Sequence, residues 1–208
     1  MFDLDALILN FDRGLRTVAG RATARRPNPA ETVAEPALES AARAESAALM
    51  RVNHCGEVCA QALYQGQAAA THNPQLKEAL VGAAHEEEDH LAWCEGRIEE
   101  LGGRTSVLNP VWYAGSFLLG FAAGKLGDGW NLAFLEETEK QVERHLQGHL
   151  DRLDPQDHKT RAIVATMQEE EARHARTAHS LGAKTMPAWV QRGMALSAKV
   201  MTTLSYRI

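Results

Sequence analysis

Glu87 and His90 stand three residues apart in AHEEEDHLAWCEGRIEELGG, and the same Glu-x-x-His spacing returns with Glu171 and His174 in QEEEARHARTAH. On a helix, side chains three apart share a face and can grip one metal ion between them. The spacing alone is a weak signal, because Glu and His are common on solvated helix faces. Its force comes from company: an unpaired Glu precedes each pair, Glu57 before the first and Glu139 before the second. One Glu from each of two helices, plus Glu-x-x-His from each of two others, is the ligand set of dinuclear carboxylate sites in helical bundles.

Elementary electrostatics explains why such a set wants metal. Four buried carboxylates at one level repel, and without cations most would have to take up protons. Two divalent ions cancel that charge and leave neutral imidazoles to complete each coordination shell. Oxygen-rich ligation with one His per metal suits iron or manganese better than zinc. A pair of ferrous ions with open positions can reduce dioxygen by two electrons and direct it at a nearby substrate.

The site needs helices that bring six side chains to one height, and the apolar patterning supplies them. A first long helix is expected from near Ser40, with Leu49, Asn53, Glu57, Ala60 and Tyr64 on one stripe, broken at His72-Asn73-Pro74. A second runs from about Pro74 to Leu101, its stripe formed by Leu76, Leu80, Ala84, Glu87, Leu91, Cys94 and Ile98, and Gly102-Gly103 stops it. After Gly127-Asp128-Gly129 a third carries Leu132, Leu135, Glu139, Val142, Leu146 and Leu153, turning at Asp154-Pro155. The fourth presents Val164, Met167, Glu171, His174, Ala178 and Leu181 before Gly182.

Glu57 lies 16 residues before Asn73 and Glu87 lies 14 after it. At a rise of ~1.5 Å per residue, antiparallel helices bring both carboxylates to one level. Glu139 and Glu171 flank Pro155 as evenly, so one helix pair looks used twice. The competing reading, solvated acids and ion pairs, conflicts with apolar stripes that turn these groups inward. His145 and Tyr64 are candidates to hydrogen-bond a ligand or line the pocket, with exposure of His145 and core packing of Tyr64 as the alternatives. His149 is expected to be exposed or satisfied, and Glu86, Glu88, Asp89, Glu169 and Glu170 to form the wet side.

The predicted fold class is all-α: a ferritin-like four-helix bundle with a dinuclear metal centre, plus two additional apolar or amphipathic helical segments. Within the 208 residues, 1–39 read as an N-terminal arm and linker, 40–182 as the bundle, and 183–208 as a C-terminal amphipathic helix. In the arm, Leu4, Leu7, Ile8, Phe11 and Leu15 share one side of a short helix, and RATARRPNPAETVAEP reads as the linker. A net charge of −5 leaves no footprint for nucleic acid. Asp3 and Asp5 stand where an export signal would carry Lys or Arg, so a cytoplasmic setting is expected, with Cys55, Cys59 and Cys94 as small core residues.

Residues 106–126, inside the bundle region, are the most apolar stretch but are too short to favour spanning a bilayer. They fit a helix in the lipid interface, with Trp112, Tyr113, Phe117, Leu118 and Phe121 touching membrane or a substrate tail. A core helix packed through Gly120 and Gly124 is the alternative. In the C-terminal helix Val190, Met194, Met201 and Leu204 can share one face, with Arg192 and Lys199 on another.

LMRVNHCGEVCAQALYQGQ, AHEEEDHLAWCEGRIEELGGRTSVLNPVWYAGSFLLG, EKQVERHLQGHL and EEEARH resemble the di-iron demethoxyubiquinone hydroxylases, the 2-polyprenyl-3-methyl-6-methoxy-1,4-benzoquinol monooxygenases. The similarity covers about residues 40–208, and Cys55 departs from an expected Ala. It implies two iron ions held by Glu57, Glu87, His90, Glu139, Glu171 and His174, with Glu87 and Glu171 bridging. It implies hydroxylation of a polyprenylated benzoquinol ring with O2 in ubiquinone biosynthesis. Peripheral attachment at the cytoplasmic face of the cell membrane follows, with a homo-oligomer or a complex with other ubiquinone-biosynthesis proteins as further expectations. No Gly-rich dinucleotide fingerprint occurs, so neither a flavin nor a nicotinamide site is expected. Two other readings compete: a rubrerythrin- or ferritin-like handler of iron or peroxide without a quinone substrate, and a membrane-bound helical scaffold.

Overall fold

Turn chemistry sets where each helix begins and ends. In this computed structural model, which describes residues 4–208 with side chains from residue 8, the described residues form seven helices and no strand. They are α1 (Leu4–Ala19), α2 (Ser40–Ala70), α3 (Pro74–Glu100), α4 (Asn109–Lys125), α5 (Asp128–Arg152), α6 (His158–Ser180) and α7 (Ala188–Ser205). Asn73 caps α3, its side chain accepting from the backbone N–H of Gln75 and Leu76, while Pro74 occupies the first turn, where no N–H is needed. Asp157 caps α6 through the Thr160 N–H. The chain leaves α6 through Gly182 at φ 100°, a left-handed conformation that costs glycine nothing.

Cross-links along the helices fix their directions. Ala47, early in α2, lies beside Gly103 just past α3, and Tyr64 further along α2 reaches Glu87, so α2 and α3 are antiparallel; Gln168 to Gln147 and His179 to Glu136 show the same for α5 and α6. Gln67 with Asn131 ties α2 to α5, and Cys94 with Met167 ties α3 to α6. The apolar core these helices enclose is divided. One cluster gathers Leu49, Met50, Trp93, Cys94, Ile98, Leu146, Ile163, Val164 and Met167; the other gathers Tyr64, Leu76, Leu80, Leu132, Leu135 and Ala178. Between them in sequence on every one of the four helices stands an acidic residue, so a polar layer lies between two apolar plugs.

α4 crosses α2 at backbone contact. A Cβ on Gly66 would lie 2.2 Å from the Phe117 carbonyl oxygen, and one on Gly120 would lie 2.3 Å from that of Leu63. The expected packing through Gly120 is therefore found on one face of α4. The glycine face is packed, whereas Val111, Leu118, Leu119 and Phe121 are exposed. No described helix is long and apolar enough to cross a membrane.

The segment between α1 and α2, expected as a linker, is a fastened strap. Arg21 pairs with Glu99, the Ala22 N–H reaches Glu95, Arg25 and Arg26 reach Asp89, Ala30 enters the core, and Glu35 pairs with Arg97. Arg97 also reaches Asp157, so the same ion-pair network holds strap, α3 and the α6 cap. Of the expected arm stripe, Ile8, Phe11 and Leu15 are exposed, and Leu4 and Leu7 lie outside the described side chains. On α7, Val190, Met194 and Met201 are half-buried as a face, but Leu204 joins Trp189, Leu196 and Val200 on the exposed side. Cys55 and Cys94 are core residues as expected, while Cys59 is only half-buried.

Replacing Gly120 by Ala should lower stability by about 1–3 kcal/mol despite the better helix propensity of Ala, because the added methyl meets backbone that cannot rotate away. Gly96→Ala, at a helical site with nothing within 4 Å of the new methyl, should instead stabilise by about 0.5–1 kcal/mol. Thermal melts of the two variants check the opposite signs.

Candidate metal centre

The polar layer is built from four helices. α2 contributes Glu57, α3 Glu87 and His90, α5 Glu139, and α6 Glu171 and His174; all six are buried, from 0% exposure at Glu87 and His90 to 8% at His174. The structure brings them together in two overlapping groups. Potential ligand atoms of Glu57, Glu87, His90 and Glu171 lie within 4.8 Å of one another, as do those of Glu139, Glu171 and His174. Glu171 belongs to both groups, and Glu87 reaches across, with one oxygen 2.8 Å from His90 Nδ1 and the other 3.2 Å from His174 Nδ1. His90 Nδ1 also lies 3.6 Å from Glu57 and 3.4 Å from Glu171.

These atoms are close without being satisfied. Glu87 Oε2, His90 Nδ1 and both ring nitrogens of His174 are buried and make no hydrogen bond. Buried polar atoms are normally paired, so convergent orphans of this kind mark a place for a cation. The protonation pattern agrees. Burial, with the charges of neighbouring carboxylates, raises Glu57 and Glu139 well above the usual range. Burial acts the same way on Glu87 and Glu171, but the two histidines hold Glu87 well below that range, and a hydrogen bond with Glu139, then the two histidines, hold Glu171 below it. Burial would lower the histidines, yet Glu87 above all raises His90 well above its ordinary value, and Glu171 and Glu87 lift His174 to about 11. Protons thus do the work that two dications would do. Carboxylate oxygens with one imidazole per group suit a hard or borderline dication such as ferrous iron.

The surrounding residues correct the expected wet side. Glu86 and Glu88 are partly exposed and Glu169 is exposed, but Asp89 and Glu170 are buried. Glu170 Oε2 lies 2.6 Å from His90 Nε2, and Arg26 grips the same carboxylate while its Nε pairs with Asp89. Burial is overcome by His90 and Arg26, which draw Glu170 down to about 2. A fixed carboxylate there accepts a hydrogen bond from Nε2–H, which keeps that proton on Nε2 and leaves Nδ1 to face the layer as the ligand atom. Trp93 completes this corner, 5.4 Å from the His90 ring and under the Arg26 guanidinium. The Glu run around position 170 was the only local sign of this role.

Tyr64 both packs in the core and serves the site, its hydroxyl donating to Glu139 and lying 3.2 Å from Glu87. Burial, then the neighbouring carboxylates, raise the phenol well above its usual value, so it stays a donor. His145 makes no hydrogen bond to any of the six; its ring meets that of His149, which is buried rather than exposed. Both line a cavity of about 950 Å³ that reaches Glu57 between α2, α4, α5 and α7. Of the residues expected at membrane or substrate tail, Trp112 lines this cavity, Tyr113 bonds Gln65, Phe117 is half-buried, and Leu118 and Phe121 face outward.

Helical hairpins paired around a buried carboxylate and imidazole layer define a class: metal-binding helical proteins with a pocket beside the metal position. The family described as Ubiquinone biosynthesis protein COQ7 matches residues 44–205, and the chain belongs to that family. It is 56% identical over 205 residues to the 3-demethoxyubiquinol 3-hydroxylase of Chromobacterium violaceum, covering 99% of this chain and 100% of that protein. With the protein of the same name from Laribacter hongkongensis it shares 57% over 205 residues, at 99% and 100% coverage. Another, from Janthinobacterium sp., is 55% identical over 202 residues, at 97% of each chain.

Adding ferrous iron anaerobically at pH 7 should release protons, because Glu57, Glu139, His90 and His174 are all held towards their protonated forms and must be deprotonated to bind it. Affinity should therefore fall as the pH is lowered. In the same titration Glu170→Gln should weaken binding by roughly 10–100-fold, having lost the charge that orients His90. Calorimetry in buffers of different ionisation enthalpy measures both.

Proposed function

We propose that this chain is a 3-demethoxyubiquinol 3-hydroxylase: an O2-dependent monooxygenase that hydroxylates the ring of a polyprenylated methoxy-benzoquinol in ubiquinone biosynthesis. The observation that carries the reading is the buried layer of four carboxylates and two imidazoles with unsatisfied inward atoms, opening on a largely apolar cavity, in a chain whose full-length relatives bear that name. The finer fold reading follows from it: a ferritin-like bundle of α2, α3, α5 and α6 around a dinuclear centre. Glu57 and His90 would hold one ion, Glu139 and His174 the other, and Glu87 and Glu171 would bridge them. Bound iron supplies the two-electron reduction of dioxygen, so that one oxygen atom enters a ring C–H bond and the other leaves as water, with two electrons and two protons taken up from outside.

The protein's part is binding, orientation and proton placement. Val52, Leu63, Trp112, Phe134 and Met194 line the cavity and suit a lipid-like substrate while excluding water. Glu170 holds the Nε2 proton of His90, and Tyr64 keeps its proton on the hydroxyl between Glu139 and Glu87. The substrate tail lives in lipid, and the exposed apolar side chains of α1, α4 and α7 offer a shallow contact with a membrane surface at its cytoplasmic face. Iron- or peroxide-handling without a quinone is the weaker reading, since it gives no use to the cavity.

Two experiments test this. Anaerobic loading with ferrous iron, then oxygen and the reduced prenylated quinol, should give a product heavier by one oxygen atom; two irons bound per chain with no such product would overturn the reading. In liposome flotation, Leu118→Asp combined with Phe121→Asp should reduce recovery with the vesicles several-fold, because each replaces exposed apolar surface by charge.

A further inference from the structure

The cavity beside Glu57 carries a polar feature that the metal layer does not use. His145 and His149 lie one turn apart on α5, both line the cavity, and their rings meet edge to face with centroids 4.1 Å apart. His149 is 3% exposed and its Nδ1 has no hydrogen-bond partner; Nε2 of His145 is buried and unpartnered as well. Leaving such a nitrogen shut from water without a partner costs ~1–3 kcal/mol. Two side by side on a cavity wall describe a site that something polar completes.

The surroundings say what that something is. Burial, with Arg152 and Lys199, lowers His145 to about 4, and burial, with His145 and Arg152, lowers His149 to about 3. Both rings are neutral, so each offers one donor and one acceptor. Arg144, Arg152 and Lys199 border the same cavity, and Glu57 is its only carboxylate among the described residues, which disfavours a second cation and suits electronegative oxygen. Along α5, at ~1.5 Å per residue, His145 lies about 9 Å and His149 about 15 Å beyond Glu139. Helical side chains lean towards the N-terminus, which here brings both back towards the metal layer.

We propose that His145 and His149 are the polar anchor of the benzoquinol ring, one accepting a ring hydroxyl and the other donating to an adjacent methoxy or hydroxyl oxygen. The inference rests on the hydroxylase reading above. The pair acts as positioning residues: they fix which ring carbon faces the metal layer and leave the tail to the apolar wall.

The test uses the full-length iron-loaded chain and a short-chain 6-methoxy-3-methyl-1,4-benzoquinone. Binding of the reduced form is read anaerobically by tryptophan quenching, since Trp112 lines the cavity, and turnover is read with the same form once oxygen is admitted. His149→Leu and His145→Leu should each raise Kd and KM roughly five- to tenfold, the worth of a hydrogen bond, with two irons per chain retained and kcat changed less. His149→Gln, which keeps a donor and an acceptor, should recover most of the affinity. A ring analogue without the methoxy group should bind the variants and the unaltered chain more nearly alike. Unchanged Kd and KM in the Leu variants would overturn the anchor while leaving the hydroxylase reading intact. Absence of both binding and turnover in the unaltered iron-loaded chain would overturn the two together. His145 is half-buried where His149 is buried, so its variant decides the matter if His149→Leu fails to fold.

Discussion

Four carboxylates placed at one height inside an apolar bundle set the terms for everything else in this chain. Such groups cannot share a low-dielectric interior as anions, and they must be neutralised by protons or by metal. With protons alone, burial pushes Glu57 and Glu139 towards their neutral forms, while the histidines hold Glu87 towards carboxylate. With two dications, all six side chains take the form that binds. The apolar clusters on either side keep bulk water from screening the layer, and the antiparallel hairpins keep its members level. Stability and chemistry draw here on the same few side chains, so the core is divided where a purely structural bundle would continue its leucines.

Much of this layer is legible in the sequence, because helical periodicity reports burial and a carboxylate on an apolar stripe is conspicuous. Glu57, Glu87, Glu139 and Glu171 stand on their stripes beside residues such as Leu49, Leu91, Leu146 and Met167, and nearly equal counts to the turns at Asn73 and Pro155 set their level. What periodicity cannot report is a partner far along the chain. Glu170 and Asp89 flank inward residues and look solvated, and they are buried because Arg26, from a segment with no helical pattern, covers them. His149 escaped for a related reason: the cavity that encloses it is made jointly by α2, α4, α5 and α7, and no single helix announces it. Resemblance to a family supplied the substrate class, which no stripe encodes.

The glycine seam between α2 and α4 connects the metal layer to the outer surface. α2 carries Glu57 and Tyr64 on one side and Gly66 on another, so the helix that helps hold the layer also sets the position of α4. One side of α4 forms cavity wall through Trp112 and Leu119, and another presents Leu118 and Phe121 outward. Close backbone packing leaves α4 little freedom to slide, which keeps the wall beside Glu57 in register with the outer apolar face.

The strap that carries Arg26 has a meaning for how the molecule comes into being. It is synthesised before Asp89 and well before Glu170, the groups it must clasp. During synthesis these early residues have nowhere to settle, and the clasp closes only after the nascent α6 has docked. The clamp of Glu170 and Arg26 on His90 is therefore complete only once α6 is in place.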